Sequence, residues 1–244
     1  MDLEPALEVA ARGFAELRSV THPYLVDRVR GVLRLHDAPR KGYMRCEEYF
    51  ATCKTALELD GIAREYSEAH YRLCLAHGPE ESDAGIRSDF RNLKYRLRGT
   101  EAVFAHGLTR IEPAEGPLPI LRVTTPELEA AQRKAAGSRM MRPEYITDGP
   151  APVRMWAAFD GDMPVGWVLS VEAAGAASCL SMFVQEAYRR RGIARALLGR
   201  MLAFDRDAGA VANVLLASRE GAKLYPTVGY RHLGDLMVYT PPRG

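Results

Sequence analysis

Between residues 178 and 207 the chain reads as strand, short basic turn and long amphipathic helix, and no other stretch constrains the fold as tightly. Ser178–Val184 is an extended, mostly apolar run. Arg191–Asp207 carries Ile193, Ala194, Leu197, Leu198, Met201, Leu202 and Phe204 at helical spacing, which predicts one apolar face turned to a core. The start of such a helix offers backbone N–H groups without intrahelical partners and a partial positive charge. Gly192 and Ala194 have little bulk, so a diphosphate could approach the backbone there. Arg189, Arg190 and Arg191 add charge for oxyanions. Three arginines alone would read as a solvated basic loop. Their place between a strand end and a small-x-small helix start favours an anion site.

The rest of the chain alternates helices and strands. Leu3, Leu7, Ala10, Ala11, Phe14 and Leu17 predict a helix over 3–20, ended by Thr21-His22-Pro23. Apolar and basic residues alternate from Tyr24 to Leu35, which predicts one strand, and Tyr43–Lys54 a second. A helix over 55–69, a strand over Tyr71–Ala76, a helix capped by Ser82 or Asp83 and a strand over Arg96–Leu108 follow. Ile111–Pro119 is rich in proline and acid and reads as a linker, so we expect an N-terminal domain over 1–110 and a C-terminal one over 120–244. The second half predicts a strand at Leu121–Val123, a helix opened by Thr125-Pro126 and a loop over Gly137–Pro152. Strands Val153–Phe159 and Pro164–Val171 are joined by the hairpin signal Asp160-Gly161-Asp162. After the long helix come a strand over Val211–Leu216, a short helix over Glu220–Thr227 and a strand over Leu233–Thr240.

One internal match recurs at a constant offset of 135: Tyr95-Arg96-Leu97-Arg98-Gly99 with Val103-Phe104, against Tyr230-Arg231-His232-Leu233-Gly234 with Val238-Tyr239. Each copy follows a predicted short helix and enters a predicted strand. A duplication is the structural reading, with the N-terminal half a shrunken copy lacking the basic turn.

Composition narrows the function classes. A balance of 33 basic and 31 acidic residues gives no strong field for nucleic acid or membranes. No apolar run is long enough to span a bilayer, and the acidic start Met1-Asp2-Leu3-Glu4 lacks a signal-peptide pattern, so the expected location is cytoplasmic. Cys46, Cys53, Cys74 and Cys179 show neither a CxxC pair nor metal-ligand spacing with histidines, and are expected as buried or half-buried free thiols with no metal.

The basic turn resembles the acyl-CoA signature of the GNAT superfamily of acyltransferases, Gln/Arg-x-x-Gly-x-Gly/Ala after a strand, here Arg189-x-x-Gly192-x-Ala194. Val184 and Tyr188 stand where that family has its strand-end valine and an aromatic, while Glu186 replaces a common proline and Arg190 a common glycine. Downstream, Leu224-Tyr225-Pro226-Thr227-Val228-Gly229-Tyr230 is similar to the family's tyrosine-x-x-x-Gly-aromatic unit, with Arg219 where many members carry asparagine. The resemblance covers about residues 120–240. It implies a mixed α/β (α+β) fold with a mostly antiparallel central sheet flanked by helices, and a smaller N-terminal half of the same kind.

The resemblance also implies chemistry. Acetyl-CoA or another acyl-CoA would lie in a split between the strands Ser178–Val184 and Val211–Leu216. Its pantetheine arm would pair with the free edge at Met182, Phe183 and Val184, and its pyrophosphate would sit on Arg189, Arg190, Arg191, Gly192, Ile193, Ala194 and Arg195. An amine of a small molecule or protein would attack directly, with Tyr225 as proton donor to the leaving sulfur. A packing role for Tyr225 is the alternative. No base stands out among Asp162, Glu172 and Glu186. His232 reads as a surface histidine that could flank the substrate opening, Trp156 and Trp167 as core or cleft wall. The loop with Arg139, Met140, Met141 and Arg142 is where that family shapes its acceptor pocket. The competing readings are a non-catalytic acyl-CoA-binding module and an RNA-contacting face built on Arg28, Arg30, Arg34, Arg40, Lys41 and Arg45, which the near-neutral charge disfavours. Acceptor, acyl length and oligomeric state are not legible.

Overall fold

The computed structural model describes residues 1–112 and 115–242. In chain order its elements are α1 (Leu3–Arg18), β1 (Tyr24–Val29), β2 (Val32–Asp37), β3 (Glu47–Ala51), α2 (Ala56–Tyr66), β4 (Tyr71–His77), α3 (Ala84–Asn92), β5 (Arg96–His106), β6 (Ile120–Arg122), α4 (Pro126–Ala136), β7 (Val153–Asp160), β8 (Met163–Ala173), β9 (Ala176–Val184), α5 (Ile193–Asp207), β10 (Asn213–Ala217) and β11 (Arg231–Thr240). Short 3-10 turns sit at Pro143–Tyr145, Glu186–Tyr188, Gly221–Lys223 and Tyr225–Val228. The chain forms two compact units. One comprises Met1–Phe104, Leu216–Lys223 and the segment from His232 onward, and the other Ala105–Leu215 with Leu224–Arg231. Each has helices flanking a mixed, mostly antiparallel sheet. Of the linker expected at Ile111–Pro119, Pro113 and Ala114 lie outside the described residues.

In the first unit the strands run in the order β1-β2-β3-β4-β11-β5. The single strand expected over Tyr24–Leu35 is instead the hairpin of β1 and β2, with Val29 opposite Val32. Arg30 (φ 46°) and Gly31 (φ 83°) form the two-residue, left-handed turn that matches strand twist. An unbroken period of two hid it, because Arg30 is not a residue that announces such a turn. The predicted strand Tyr43–Lys54 is ordered as β only over Glu47–Ala51. Thr55 starts α2 with a capping box: its Oγ1 accepts from the Glu58 N–H at 3.2 Å, and Glu58 Oε2 accepts from the Thr55 N–H at 2.8 Å. α2 and α3 bury Leu59, Ile62 and Phe90 against Tyr49, Leu73 and Tyr239. β3 and β4 are parallel and pair along their shared length, from Glu47 with Tyr71 to Ala51 with Leu75.

The second unit has the strand order β10-β9-β8-β7-β6. Asp160, Gly161 and Asp162 make the expected tight connection from β7 to β8. Thr125 caps α4 by accepting from the Leu128 N–H at 3.4 Å, and Gly137 (φ 75°) ends it. The predicted helix Glu220–Thr227 is two 3-10 turns, because Pro226 has no N–H and biases Leu224-Tyr225 away from a continuing α-helix. Cys53 is exposed, contrary to the expectation of burial, while Cys74 and Cys179 are buried and Cys46 half-buried. Among the described residues no helix is long and apolar enough to cross a membrane.

A buried polar network ties α5 to the sheet. Asp205, on the otherwise apolar face of α5, accepts from Ser170 Oγ at 2.7 Å and Asn213 Nδ2 at 2.8 Å and pairs with Arg154 at 3.3 Å. Asn213 Oδ1 in turn accepts from the Tyr230 hydroxyl at 2.6 Å. Burial pushes the Asp205 carboxyl up, and these donors oppose it. Asp205→Ala would leave a buried guanidinium, a hydroxyl and an amide without their acceptor, a loss of about 3–5 kcal/mol. Urea unfolding of the variant should show that loss, with Asp205→Asn less affected; a change under about 1 kcal/mol would remove the network from the stability of this unit.

Candidate functional site

The parallel strands β9 and β10 begin side by side and then separate. They pair at Asn213 with Ala177 and Val214 with Ser178, and β9 continues without this partner to Val184. A bulge accompanies the separation. Trp167 faces Phe183 and Leu169 faces Leu180, so Val168 alone opposes both Ser181 and Met182. Ser181 takes a left-handed backbone (φ 52°), and bulges of this kind bend a strand and add local twist. Met182 and Val184 are half-buried and Phe183 is 39% exposed, in contrast to the buried start of the strand. The expected free edge at Met182–Val184 is therefore present.

The chain leaves Val184 through Glu186–Tyr188 and enters α5. Tyr188 donates its hydroxyl hydrogen to Asp160 Oδ2 at 2.6 Å, and Arg189 Nε donates back to the Val184 carbonyl at 3.1 Å, which fixes both ends of the turn. Arg191 lies over the Tyr188 ring at 5.2 Å. Arg190 is exposed and left-handed (φ 63°), the conformation that explains glycine's frequency at this position in the resemblance; the larger side chain is carried outward at some backbone cost. Gly192 is the N-cap of α5 at φ 86°, and no side chain caps the helix. A Cβ built on Gly192 meets no atom within 4 Å. Gly192 thus borders open space, flanked by Arg189, Arg190, Arg191 and Arg195, all exposed, with Glu112 and Glu115 lining the same cavity as Gly192 and Arg195, while Ile193 is buried as an anchor and Ala194 is half-buried. Such a turn suits an oxyanion.

Arg195 links the two sequence motifs. Its Nη2 donates to the Thr227 carbonyl at 3.2 Å, joining the first turn of α5 to the turn that carries Tyr225. Tyr225 is 7% exposed and meets the Tyr230 ring edge-on at 5.6 Å. Gly229 (φ 92°) closes that turn, and a Cβ there would come within 2.8 Å of His106 Nε2. Burial, and secondarily the neighbouring Cys179, push the Tyr225 phenol up. Cys179 directly follows Ser178, the last β9 residue paired with β10, so Tyr225 stands beside the point where the split opens.

The other sequence candidates do not converge there. Glu172 faces Ala177 at the closed end of the split, 3.7 Å from Arg154. Asp162 sits in the exposed hairpin connection and Glu186 on the outer side of the turn, also exposed. His232 belongs to the first unit, 3.4 Å from Asp235 and tilted against Phe104. Trp167 stacks on Phe183 at 4.6 Å, and Trp156 meets Phe204 edge-on. Met141 is buried, and Met140 accepts from Gln132 Nε2 through its sulfur at 3.2 Å.

Two features escaped the sequence reading. Asp205 holds the Tyr230–Asn213 chain behind Tyr225. On α4, Glu129 is 6% exposed, with Arg139 at 3.4 Å and Arg133 at 3.9 Å, and its Oε1 is buried without a hydrogen bond. Each is an acid at a core-facing helical position, and that mismatch of residue and face was the available signal.

Residues 151–232 match the family model described as an acetyltransferase (GNAT) domain. No curated protein matches the chain in sequence. Among solved structures, the fold is similar to a GCN5-related N-acetyltransferase from Kribbella flavida, at 15% identity and TM-score 0.64, covering 98% of this chain and 97% of that one. It is also similar to a GCN5-related N-acetyltransferase from Sphaerobacter thermophilus, at 21% identity and TM-score 0.57 over 84% of this chain and 75% of that one. A tandem GNAT protein from the clavulanic acid biosynthesis pathway matches at 10% identity and TM-score 0.53, covering 100% and 98%. Residues 151–232, which hold the split strand β9 and the open start of α5, are a GNAT domain by this match.

Proposed function

We propose that the second unit is an acyl-CoA-dependent N-acyltransferase, acetyl-CoA its expected donor and a primary amine of a small molecule or protein its acceptor. The observation that carries this reading is the open, uncapped start of α5 beside an unpaired stretch of β9. The residues present fit the cofactor: the first-turn amides and Arg189, Arg190, Arg191 and Arg195 match a diphosphate, and the edge Met182–Val184 matches an amide-bearing arm. When bound, acyl-CoA supplies a thioester carbonyl that a neutral amine can attack. Tyr225 then donates a hydrogen bond at the departing sulfur, held in place by Tyr230, Asn213 and Asp205.

The first unit offers a control within the same chain. Its α2 start is closed by Thr55 and Glu58, and its parallel pair β3–β4 does not separate. We read the N-terminal part of that unit, Met1–Phe104, as a copy of the fold without a cofactor site. The local geometry repeats at the sequence offset of 135: Tyr95 N–H donates to the Phe90 carbonyl at 2.9 Å, and Tyr230 N–H to the Tyr225 carbonyl at 3.2 Å. The paired rings lie 5.5 Å and 5.6 Å apart, at 70° and 72°. Phe90 occupies the place of Tyr225 and lacks the hydroxyl.

Gly192→Val should weaken CoA binding at least about tenfold in calorimetry, through a β-branched side chain at a positive φ and beside the phosphate path. Unchanged affinity in a folded variant would overturn the donor-site assignment. Tyr225→Phe should bind CoA as the parent does and lower kcat about 10²-fold. Because burial holds the phenol protonated, the parent's activity should show no loss assignable to Tyr225 until pH exceeds the ordinary tyrosine value of about 10. Equal kcat for both proteins would assign Tyr225 to packing, and tight CoA binding without turnover of any amine would favour a binding module.

A further inference from the structure

A cavity of about 830 Å³ opens at the C-terminal end of α5, beside Phe204 and Ala208. Fifteen helical residues separate the ends of α5, roughly 22 Å, so this cavity is distinct from the open helix start. Its walls are largely small apolar groups, with Phe204 at one side and Arg122 and Arg154 among its lining. Both guanidiniums lie on the Phe204 ring, at 4.9 Å and 5.2 Å from its centroid. Arg122 donates to the backbone carbonyls of Asp148 at 3.3 Å and Gly149 at 2.9 Å and has no carboxylate partner among the described residues. Arg154 is 5% exposed; its Nη1 donates to the Ala151 carbonyl at 3.0 Å, and its Nε is buried without a partner. Asp205, its buried counter-charge, is shared with Ser170 and Asn213. Burial, and after it the Arg154 charge, hold the Arg122 guanidinium below its ordinary pKa.

Arg154 is already paired with Asp205 at 3.3 Å and Glu172 at 3.7 Å, whereas Arg122, with guanidinium donors that no carboxylate among the described residues takes, calls for an oxyanion. The rim limits which one: Glu172 is 64% exposed in its side chain and Asp148 is exposed beside it, so a dianion would be repelled. The apolar walls and the cavity's size exceed what an inorganic ion fills. We infer that this cavity is a binding site for a small organic monocarboxylate, its carboxylate held by Arg122 and its apolar body against Phe204.

Trp156 touches Phe204 edge-on at 5.5 Å and supplies the readout. In a Trp167→Phe background, benzoate, acetate and inorganic phosphate are titrated while Trp156 emission is followed. Benzoate should give a saturable change, with acetate weaker and phosphate at least about tenfold weaker. Arg122→Ala should weaken benzoate about tenfold or more. Glu172→Gln removes an exposed rim acid and should tighten benzoate about threefold, a gain that a merely damaged site would not produce. Gly192→Val should leave the response as it was. An unsaturable response, indifference to Arg122→Ala, weaker binding in Glu172→Gln, or loss of the response in Gly192→Val would each overturn the inference; none of these outcomes bears on CoA binding at the other end of the helix.

Discussion

The proposed site depends on a pair of parallel strands, β9 and β10, that stop pairing. Strands associate because unpaired backbone groups are costly, so an edge left open inside a sheet needs a cause. In the second unit that cause is the two-against-one bulge at Ser181 and Met182, which turns the end of β9 away from β10. The departure has two consequences. It leaves the β10 side of Met182–Val184 without a strand partner, and it delivers the chain into the basic turn so that α5 starts beside the gap. In the first unit β3 and β4 stay paired from Glu47 to Ala51, and neither consequence arises. The same arrangement of strand, helix and strand stays paired in one unit and opens in the other.

The repeated turn shows where stability and chemistry part. Phe90 with Tyr95, and Tyr225 with Tyr230, place an aromatic pair edge-on at nearly the same distance and angle. In both, a residue with positive φ, Lys94 or Gly229, reverses the chain before the strand. In both, the second tyrosine reaches a helix acid: Tyr95 donates to Asp60 at 2.5 Å, and Tyr230 reaches Asp205 through Asn213. The turn needs a ring at the first position and a hydroxyl at the second. Phe90 stands at the first position in one turn and Tyr225 in the other.

Much of this was legible in the sequence, for identifiable reasons. Long periodic elements such as α1, α5 and β8 announce themselves, and the basic turn combines charge, small residues and a strand end in an order that few structural roles require. The bulge was not legible, because Ser181 is neither glycine nor asparagine and its left-handed backbone is imposed by the sheet. The β1–β2 hairpin was hidden by an alternation that runs unbroken through its turn. Asp205 and Glu129 were passed over because attention went to loop acids, whereas a carboxylate on a core-facing helical stripe carries more information than one in solvent.

The environment of Tyr225 narrows its chemical role. Its phenol is held above the ordinary value near 10 by burial, while a thiol of cysteine type titrates at about 8.5. Complete proton transfer from phenol to a departing sulfur is therefore uphill, and burial makes it more so. A short-lived hydrogen bond is not: it lowers the energy of charge growing on sulfur without requiring the proton to cross. The Tyr225 ring lies edge-on against Tyr230, whose hydroxyl is held by Asn213 and, through it, Asp205. In the proposed reaction this environment makes Tyr225 a hydrogen-bond donor to the sulfur rather than an acid that dissociates.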